Sequence, residues 1–154
     1  MDAVHPIGMN DAVPVGMEPA VPPSPIRMIL CLEGLAVAAL TALLYARSGA
    51  SWWLFAALWL APDLSMLGYL SRPCRGARIY NSVHAYVTPI TLAVCALLLG
   101  APKLLPFALI WVNHIAVDRM LGYGLKYSDG FQWTHLGRVG RTKRQGTDTA
   151  TPLA

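Results

Sequence analysis

Charged residues are scarce in this sequence. Asp, Glu, Lys and Arg make up 13% of its 154 residues, whereas hydrophobic residues make up 55%. An average soluble domain has roughly 25% charged residues, and a small domain has the largest surface for its volume. The scarcity of charge therefore excludes a soluble globule of this size. The apolar content excludes intrinsic disorder for most of the chain, which has room for one domain.

Cysteine is also scarce, and its spacing has no pattern. Cys31, Cys74 and Cys95 include no Cys-x-x-Cys pair, so we expect three free thiols. No Lys or Arg precedes Arg27, whereas a cleaved signal peptide begins with positive charge. We therefore expect residues 1–27, which contain six of the twelve prolines, to form a disordered leader before an uncleaved first helix. Residues 138–154 are basic and then polar, and we expect a disordered tail there.

Four apolar blocks have the length of a membrane crossing. They cover residues 28–46, 52–70, 79–99 and 104–123. Each is close to the roughly 20 residues that a helix needs to cross a bilayer, and the connections between them are short and contain Gly or Pro. Short connections place neighbouring helices antiparallel. The sequence therefore predicts an all-α fold, an integral membrane antiparallel four-helix bundle over residues 28–137, with a cytoplasmic interfacial segment at its end.

Lys and Arg are distributed unevenly among the connections. Arg27, the arginines at 72, 75 and 78, and the basic residues from 126 to 144 would share one side of the membrane, opposite Arg47 and Lys103. Because basic loops stay in the cytoplasm, this asymmetry predicts a bacterial inner-membrane protein with both termini cytoplasmic. It also accounts for the net charge of +4 with no nucleic acid as partner. Membrane lipid is the expected partner.

Ionisable side chains within the predicted spans are the first candidates for function, because each costs several kcal/mol in hydrocarbon unless it is paired or hydrated. At about 1.5 Å per residue, all of them fall in the cytoplasmic half of the bilayer, at nearly one depth. His114 and Asp118 share a helix face, whereas Arg119 should point elsewhere and reach the interface. The full set is Glu33, Asp63, His84, His114, Asp118 and Arg119. In the third block, a polar stripe is predicted over Tyr80, Asn81, His84, Thr88, Thr91 and Cys95.

Two imidazoles and two carboxylates converging from different helices predict a site for a divalent metal ion. Imidazole and carboxylate together suit Zn, Fe or Mn, and the ligands would be Asp63, His84, His114 and Asp118. Tyr80 and Asn81 would orient ligands or substrate, whereas Glu33 can equally hydrate at the interface. Two other interpretations stay open. The same residues can act as a metal-free acid and base, or they can pair with one another and only hold the helices together.

The segment after the last block, residues 122–137, is rich in aromatic residues and glycine. Such a segment suits the membrane interface, where Trp and Tyr accumulate. The alternative is a lid over the site that supplies His135.

Three motifs together carry a resemblance to domain-of-unknown-function family 4260, a family of small four-helix bacterial membrane proteins. The resemblance covers about residues 28–137, and it implies a fold and a location but no activity. The motifs are Pro62-Asp63-Leu64-Ser65-Met66-Leu67-Gly68-Tyr69, Tyr80-Asn81-Ser82-Val83-His84, and His114-Ile115-Ala116-Val117-Asp118-Arg119 with Gly122-Tyr123-Gly124-Leu125-Lys126-Tyr127.

The order of the ligand residues is also similar to that of inner-membrane metal-dependent hydrolases, in which Asp63, His84, His114 and Asp118 would take ligand positions. Ser65 stands where that pattern has a second Asp. The expected function is metal-assisted hydrolysis of a lipid-like or amphipathic substrate. The alternatives are a metal-free isomerase or cyclase, and a non-catalytic small membrane subunit.

Overall fold

A computed structural model of the chain describes residues 22–127 and 132–139. The leader predicted over residues 1–27 falls mostly outside these ranges, as does most of the tail predicted over 138–154. The prediction of an all-α, antiparallel four-helix membrane bundle is confirmed. Among the described residues, three segments are long and apolar enough to cross a membrane, namely Ser24–Arg47, Trp52–Leu70 and Pro73–Leu98.

Over residues 22–127, five α-helices and two 3₁₀ helices build the four arms of the bundle. The first arm is α1 (Ser24–Arg47), and the second is α2 (Trp52–Leu58) followed by a 3₁₀ helix (Ala61–Leu70). The third arm is α3 (Pro73–Val83) followed by α4 (Val87–Leu98). The fourth is α5 (Leu105–Met120), which a 3₁₀ turn (Pro102–Leu104) precedes.

Helix α1 packs along α5 through small residues. Gly34, Ala38 and Thr41 recur at three- and four-residue spacing and are buried, so they lie on one face of α1. The position of a Cβ on Gly34 would lie 2.6 Å from the backbone nitrogen of Met120 and 2.9 Å from the carbonyl oxygen of Ala116. Only glycine permits this approach, which is the usual way in which membrane helices come into close contact.

The second and third arms are interrupted beside prolines. Helix α2 ends at Leu58, and Pro62 lies at the start of the 3₁₀ helix, because proline has no N–H to continue the α-helical pattern. In the third arm the α-helical pattern stops at His84, five residues before Pro89. A ten-residue 3₁₀ helix is unusually long, and such stretches often mark functional positions.

Two sequence predictions for the third arm are wrong. Its helix begins at Pro73, so most of the connection expected between the blocks 52–70 and 79–99 is helical. The polar stripe does not continue past His84, because the interruption changes the helical phase. Thr88, Thr91 and Cys95 are exposed.

A short β-hairpin follows the last arm. Strands β1 (Trp133–Thr134) and β2 (Gly137–Arg138) pair antiparallel, and Lys126 forms a bridge with Thr134. The hairpin places the described part of the interfacial segment against the end of the bundle where α3 begins and α5 ends. We call this end the mouth.

Candidate metal centre

Three arms of the bundle bring four of the predicted site residues together. Asp63 comes from the 3₁₀ helix, His84 from the end of α3, and His114 and Asp118 from α5. Each offers one ligand atom, and these four atoms all lie within 4.8 Å of one another. Glu33, for which the sequence left hydration at the interface equally open, is exposed on α1 and does not belong to this group. We call the four residues the His/Asp cluster.

The distances within the His/Asp cluster are short and similar. The two Nε2 atoms of His84 and His114 lie 3.2 Å apart, and Asp63 Oδ1 lies 3.5 Å from each of them. Asp118 Oδ2 lies 3.6 Å from His84 Nε2 and 3.8 Å from His114 Nε2. Both imidazoles are buried, whereas the side chains of Asp63 and Asp118 are 34% and 18% exposed. The carboxylates therefore form the solvent-accessible side of the cluster.

The tautomer of His84 follows from its second hydrogen bond. Its Nδ1 lies 3.1 Å from the carbonyl oxygen of Tyr80, which can only accept a hydrogen bond. Neutral His84 therefore carries its proton on Nδ1 and directs the lone pair of Nε2 into the cluster. A metal-binding histidine in proteins is usually held in this way, with its other ring nitrogen donating to a carbonyl or carboxylate.

His114 is held from the other side of the bundle. The ring of Trp59 meets its ring edge-on at 5.1 Å, and the Trp59 indole N–H donates to Asn113 Oδ1 at 3.0 Å. The Asn113 amide then donates to the carbonyl oxygen of Ala38 and to Thr41 Oγ1. His114 Nδ1 is buried without a hydrogen-bond partner in the described part of the chain. Sequence reasoning missed Asn113, although an Asn among apolar residues directly before a candidate ligand was a usable signal.

Tyr80 lies against the cluster, whereas Asn81 contacts the chain that follows α5. The Tyr80 ring stacks on His84 at 3.8 Å with 13° between the planes, and its hydroxyl donates to Asp118 Oδ2 at 3.4 Å. Asn81 donates to the carbonyl oxygen of Lys126 at 2.8 Å and accepts from the Lys126 backbone N–H at 2.7 Å. Tyr80 thus supports two members of the cluster, and Asn81 fixes the chain that follows α5.

The interruption at His84 leaves carbonyl groups that α5 satisfies. The Trp111 indole N–H donates to the carbonyl oxygen of Val83 at 2.8 Å, and the Arg119 guanidinium donates to that of His84 at 3.4 Å. Arg119 also lies 2.9 Å from His135 Nε2. Arg119 leaves α5 on the side that faces Gly34, on another face than His114 and Asp118 as expected, but its guanidinium turns to the freed carbonyl and to His135.

His135 closes the hairpin onto the mouth but is not part of the His/Asp cluster. Its Nδ1 accepts from the backbone N–H of Leu125 at 2.8 Å. Burial lowers the pKa of His135, and the neighbouring Arg119 guanidinium lowers it further. A second ring proton would have to face both a donor amide and a cation, so the neutral ring is favoured here.

A polar cavity of about 300 Å³ lies at the mouth beside the carboxylates. We call it the mouth cavity, and its lining includes Asp63, Tyr80, Asp118, Tyr123, Lys126 and Thr134. The Lys126 ammonium lies 4.6 Å from the centre of the Tyr80 ring, a cation–π distance. Burial lowers the pKa of Lys126 to about 8. No local pattern distinguishes Lys126 in the sequence from the other basic residues that determine orientation.

Three members of the cluster direct electron pairs at one point. They are the two carboxylate oxygens and the His84 Nε2 lone pair, and three acceptors this close together require a cation, or a proton such as one on His114 Nε2, between them. The donor set of two imidazoles and two carboxylates fits Zn, Fe or Mn.

Residues 27–139 match a known protein family, described as Domain of unknown function (DUF4260). The match confirms the resemblance carried by the three motifs. No curated protein and no solved structure matches the chain. The more distant likeness to inner-membrane metal-dependent hydrolases therefore has no support from these comparisons.

Proposed function

Since the chain belongs to this family of unknown function, whose description names no reaction, we propose a function from the His/Asp cluster itself: a membrane enzyme that binds one divalent metal ion and hydrolyses a lipid-like or amphipathic substrate. The ligands are Asp63, His84, His114 and Asp118, and the ion is Zn, Fe or Mn. In this proposal the protein lies in the bacterial inner membrane with both termini cytoplasmic, as the Lys and Arg asymmetry predicts.

The spacing of the four ligand atoms is the observation that carries the metal proposal. A tetrahedral ion with ligand bonds of about 2.0–2.1 Å holds its ligand atoms roughly 3.3–3.4 Å apart. The five distances between imidazole and imidazole or imidazole and carboxylate run from 3.2 to 3.8 Å. These five of the six distances lie within a few tenths of an ångström of that spacing, and all six lie within 4.8 Å.

The exposed side of the cluster is where water and substrate would meet the ion. Bound to such a centre, a divalent ion lowers the pKa of a water ligand toward neutrality and so supplies a nucleophile at physiological pH. Positions at the ion beyond the four protein ligands would be open to water and substrate from the exposed side. Asp63, the most exposed ligand, lies on the side from which those positions are reached. Its carboxylate is the group best placed to accept a proton from the attacking water.

A second function uses the same residues without a metal. The 3.2 Å separation of the two Nε2 atoms also suits a hydrogen bond in which one imidazole donates to the other. Asp63 or Asp118 would then act as the acid of an isomerase or cyclase. In the third alternative, a non-catalytic membrane subunit, the cluster only holds the arms together.

Elemental analysis of the detergent-purified protein tests the metal proposal. The expected result is about one Zn, Fe or Mn per chain in the wild type and in Glu33→Gln, whose carboxylate is exposed and outside the cluster. His114→Ala, Asp118→Ala and the double variant should be depleted of metal to about the same extent, because ligands of one ion are strongly non-additive.

Thermal stability of the same variants separates the alternatives. If the residues only pair with one another, the wild type will be metal-free, and each single variant will be less stable than the double variant, because a single change leaves a buried partner unpaired. That pair of results would refute the metal enzyme.

A further inference from the structure

A second cavity, of about 430 Å³, lies next to the His/Asp cluster on the side away from the mouth. Its walls are apolar, and we call it the apolar cavity. They include Leu58, Ala61, Pro62, Leu92, Phe107 and Trp111. Ala61 and Phe107 are exposed at its rim, where lipid chains surround the bundle. The indole N–H of Trp111, which would otherwise make this wall polar, is already used by the carbonyl of Val83.

The proposed metal ligands lie between the two cavities. In the second arm, Pro62 of the apolar cavity directly precedes Asp63, which lines the mouth cavity. In α5, Trp111 lines the apolar cavity three residues before His114, and Asp118 lines the mouth cavity four residues after it. Val83, the residue before His84, also lines the apolar cavity. The ligands therefore lie at the boundary between an apolar and a polar compartment.

The mouth cavity supplies the charge that a polar head would meet. Lys126 is 8% exposed and lies over the face of Tyr80, so its ammonium is held close to the two carboxylates. With those carboxylates bound to a metal ion, the ion and Lys126 make this compartment attractive to an anion.

From this arrangement we infer that the substrate is an anionic single-chain amphipath: its alkyl or isoprenoid chain occupies the apolar cavity, and its phosphate ester head lies between the cluster and Lys126. Hydrolysis there would break the P–O ester bond with water and release the chain alcohol and inorganic phosphate. This inference rests on the proposed function. A pocket of this volume with apolar walls and a few polar groups at one end is typical for such a ligand.

Photo-crosslinking tests where the alkyl chain of the amphipath binds. The protein is zinc-loaded and reconstituted in phosphatidylcholine vesicles, and the probe is dodecyl phosphate with a diazirine at the end of its chain. We expect saturable labelling of Leu92 and Phe107, which line the cavity. Labelling spread evenly over outward residues such as Leu98, which is 80% exposed, would overturn the inference.

Two variants that fill the apolar cavity have matched controls on the lipid-facing surface. Ala61→Phe and Leu92→Trp should each raise the probe concentration that gives half-maximal labelling about tenfold, because the added groups displace about two methylenes of the probe. Ala57→Phe and Leu98→Trp make the same changes at exposed positions in the same arms. They should leave the probe concentration for half-maximal labelling unchanged. The same half-maximal probe concentration in the cavity-filling variants and in their controls would overturn the inference.

Competition tests the charge of the head. Unlabelled dodecyl phosphate should displace the probe, whereas dodecyltrimethylammonium and inorganic phosphate at the same concentration should not. Lys126→Met should weaken probe binding about tenfold, because it removes a charged hydrogen-bond donor. Equal displacement by the cationic amphipath would overturn the anionic head, and displacement by inorganic phosphate would overturn the need for a chain.

Metal content measured in the same preparations keeps the two proposals distinguishable. Ala61→Phe and Leu92→Trp should retain the metal of the wild type, because neither residue is a ligand. Specific labelling of the apolar cavity in a protein that binds no metal would refute the hydrolase but support binding of an alkyl chain in this cavity. Stoichiometric metal together with unspecific labelling would refute binding of the alkyl chain in the apolar cavity and support the metal centre.

Discussion

Replacing Gly34 by alanine tests whether the close contact between α1 and α5 holds the site together. The new Cβ would lie 2.6 Å from the Met120 nitrogen, and an ordinary contact begins at 3.4 Å. The nearest atoms are mainly backbone, so no side chain can rotate away. The two helices must therefore separate by roughly 0.8 Å. Overpacking of this kind costs about 1–3 kcal/mol.

The sign of the effect is what makes this test decisive. Helix propensity alone predicts that Gly34→Ala stabilises the protein by about 1 kcal/mol, because glycine is the poorer helix former. Packing predicts a loss instead. The ligands on α5 would also move, and a metal site tolerates about 0.5 Å of displacement, so metal affinity should fall as well.

Unfolding in mixed micelles and a metal-competition titration measure the two effects. Ala36→Val is the control, because Ala36 is exposed on the same helix and the change adds more volume. We expect Gly34→Ala to be less stable and to bind metal more weakly, while Ala36→Val matches the wild type in both. A Gly34→Ala protein as stable as the wild type would refute the close contact.

Three further predictions concern the mouth and the topology. The folded state favours neutral His135, whose pKa lies below the unfolded value of about 6.5, so stability should be lost as the pH falls through 6.5. The Leu125 amide donates to His135 Nδ1, so its hydrogen-exchange rate, corrected for the pH dependence of intrinsic exchange, should rise as the pH falls from 7 to 5. His135→Gln should remove this rise, and an unchanged corrected rate in the wild type would contradict the prediction. For Lys126, whose pKa is lowered to about 8, the folded state holds the proton less tightly than the unfolded chain, so stability should rise between pH 8 and about 10. The thermal stability of the wild type relative to Lys126→Met should increase over that range, and a constant difference would argue against a buried ammonium. Reporter fusions after Ser71 and Arg141 should read cytoplasmic and one after Gly100 periplasmic; a cytoplasmic signal after Gly100 would contradict the predicted topology.

The arms and the His/Asp cluster were predictable because strong physical penalties determine both. Hydrocarbon requires about 20 apolar residues for each crossing, and this requirement is visible in the composition of the blocks. An ionisable residue in a span needs a partner, so the shared depth of Asp63, His84, His114 and Asp118 pointed to one site. Glu33 met the same depth criterion, but depth does not determine the face of a helix, and Glu33 faces outward.

The local geometry of the arms was not predictable from the same rules. Extrapolating one helical phase through the third arm placed Thr88 on the site face, whereas the interruption at His84 leaves it exposed. The sequence contains Pro89, but a proline within a membrane helix can produce either a kink or a complete interruption. The contacts of Asn113 with α1 and α2 depend on how three helices pack, which no local pattern records.

The interruption at His84 and the ligands on α5 are parts of one arrangement. In a low-dielectric interior, a carbonyl freed from its helix must find another donor. The donors for the carbonyls of Val83 and His84 are Trp111 and Arg119, which flank His114 and Asp118 on α5. The same helix thus supplies two members of the cluster and fixes the position of a third. The two donors hold the backbone from which the His84 side chain projects, and the contact of its Nδ1 with the Tyr80 carbonyl keeps the ring directed at the cluster.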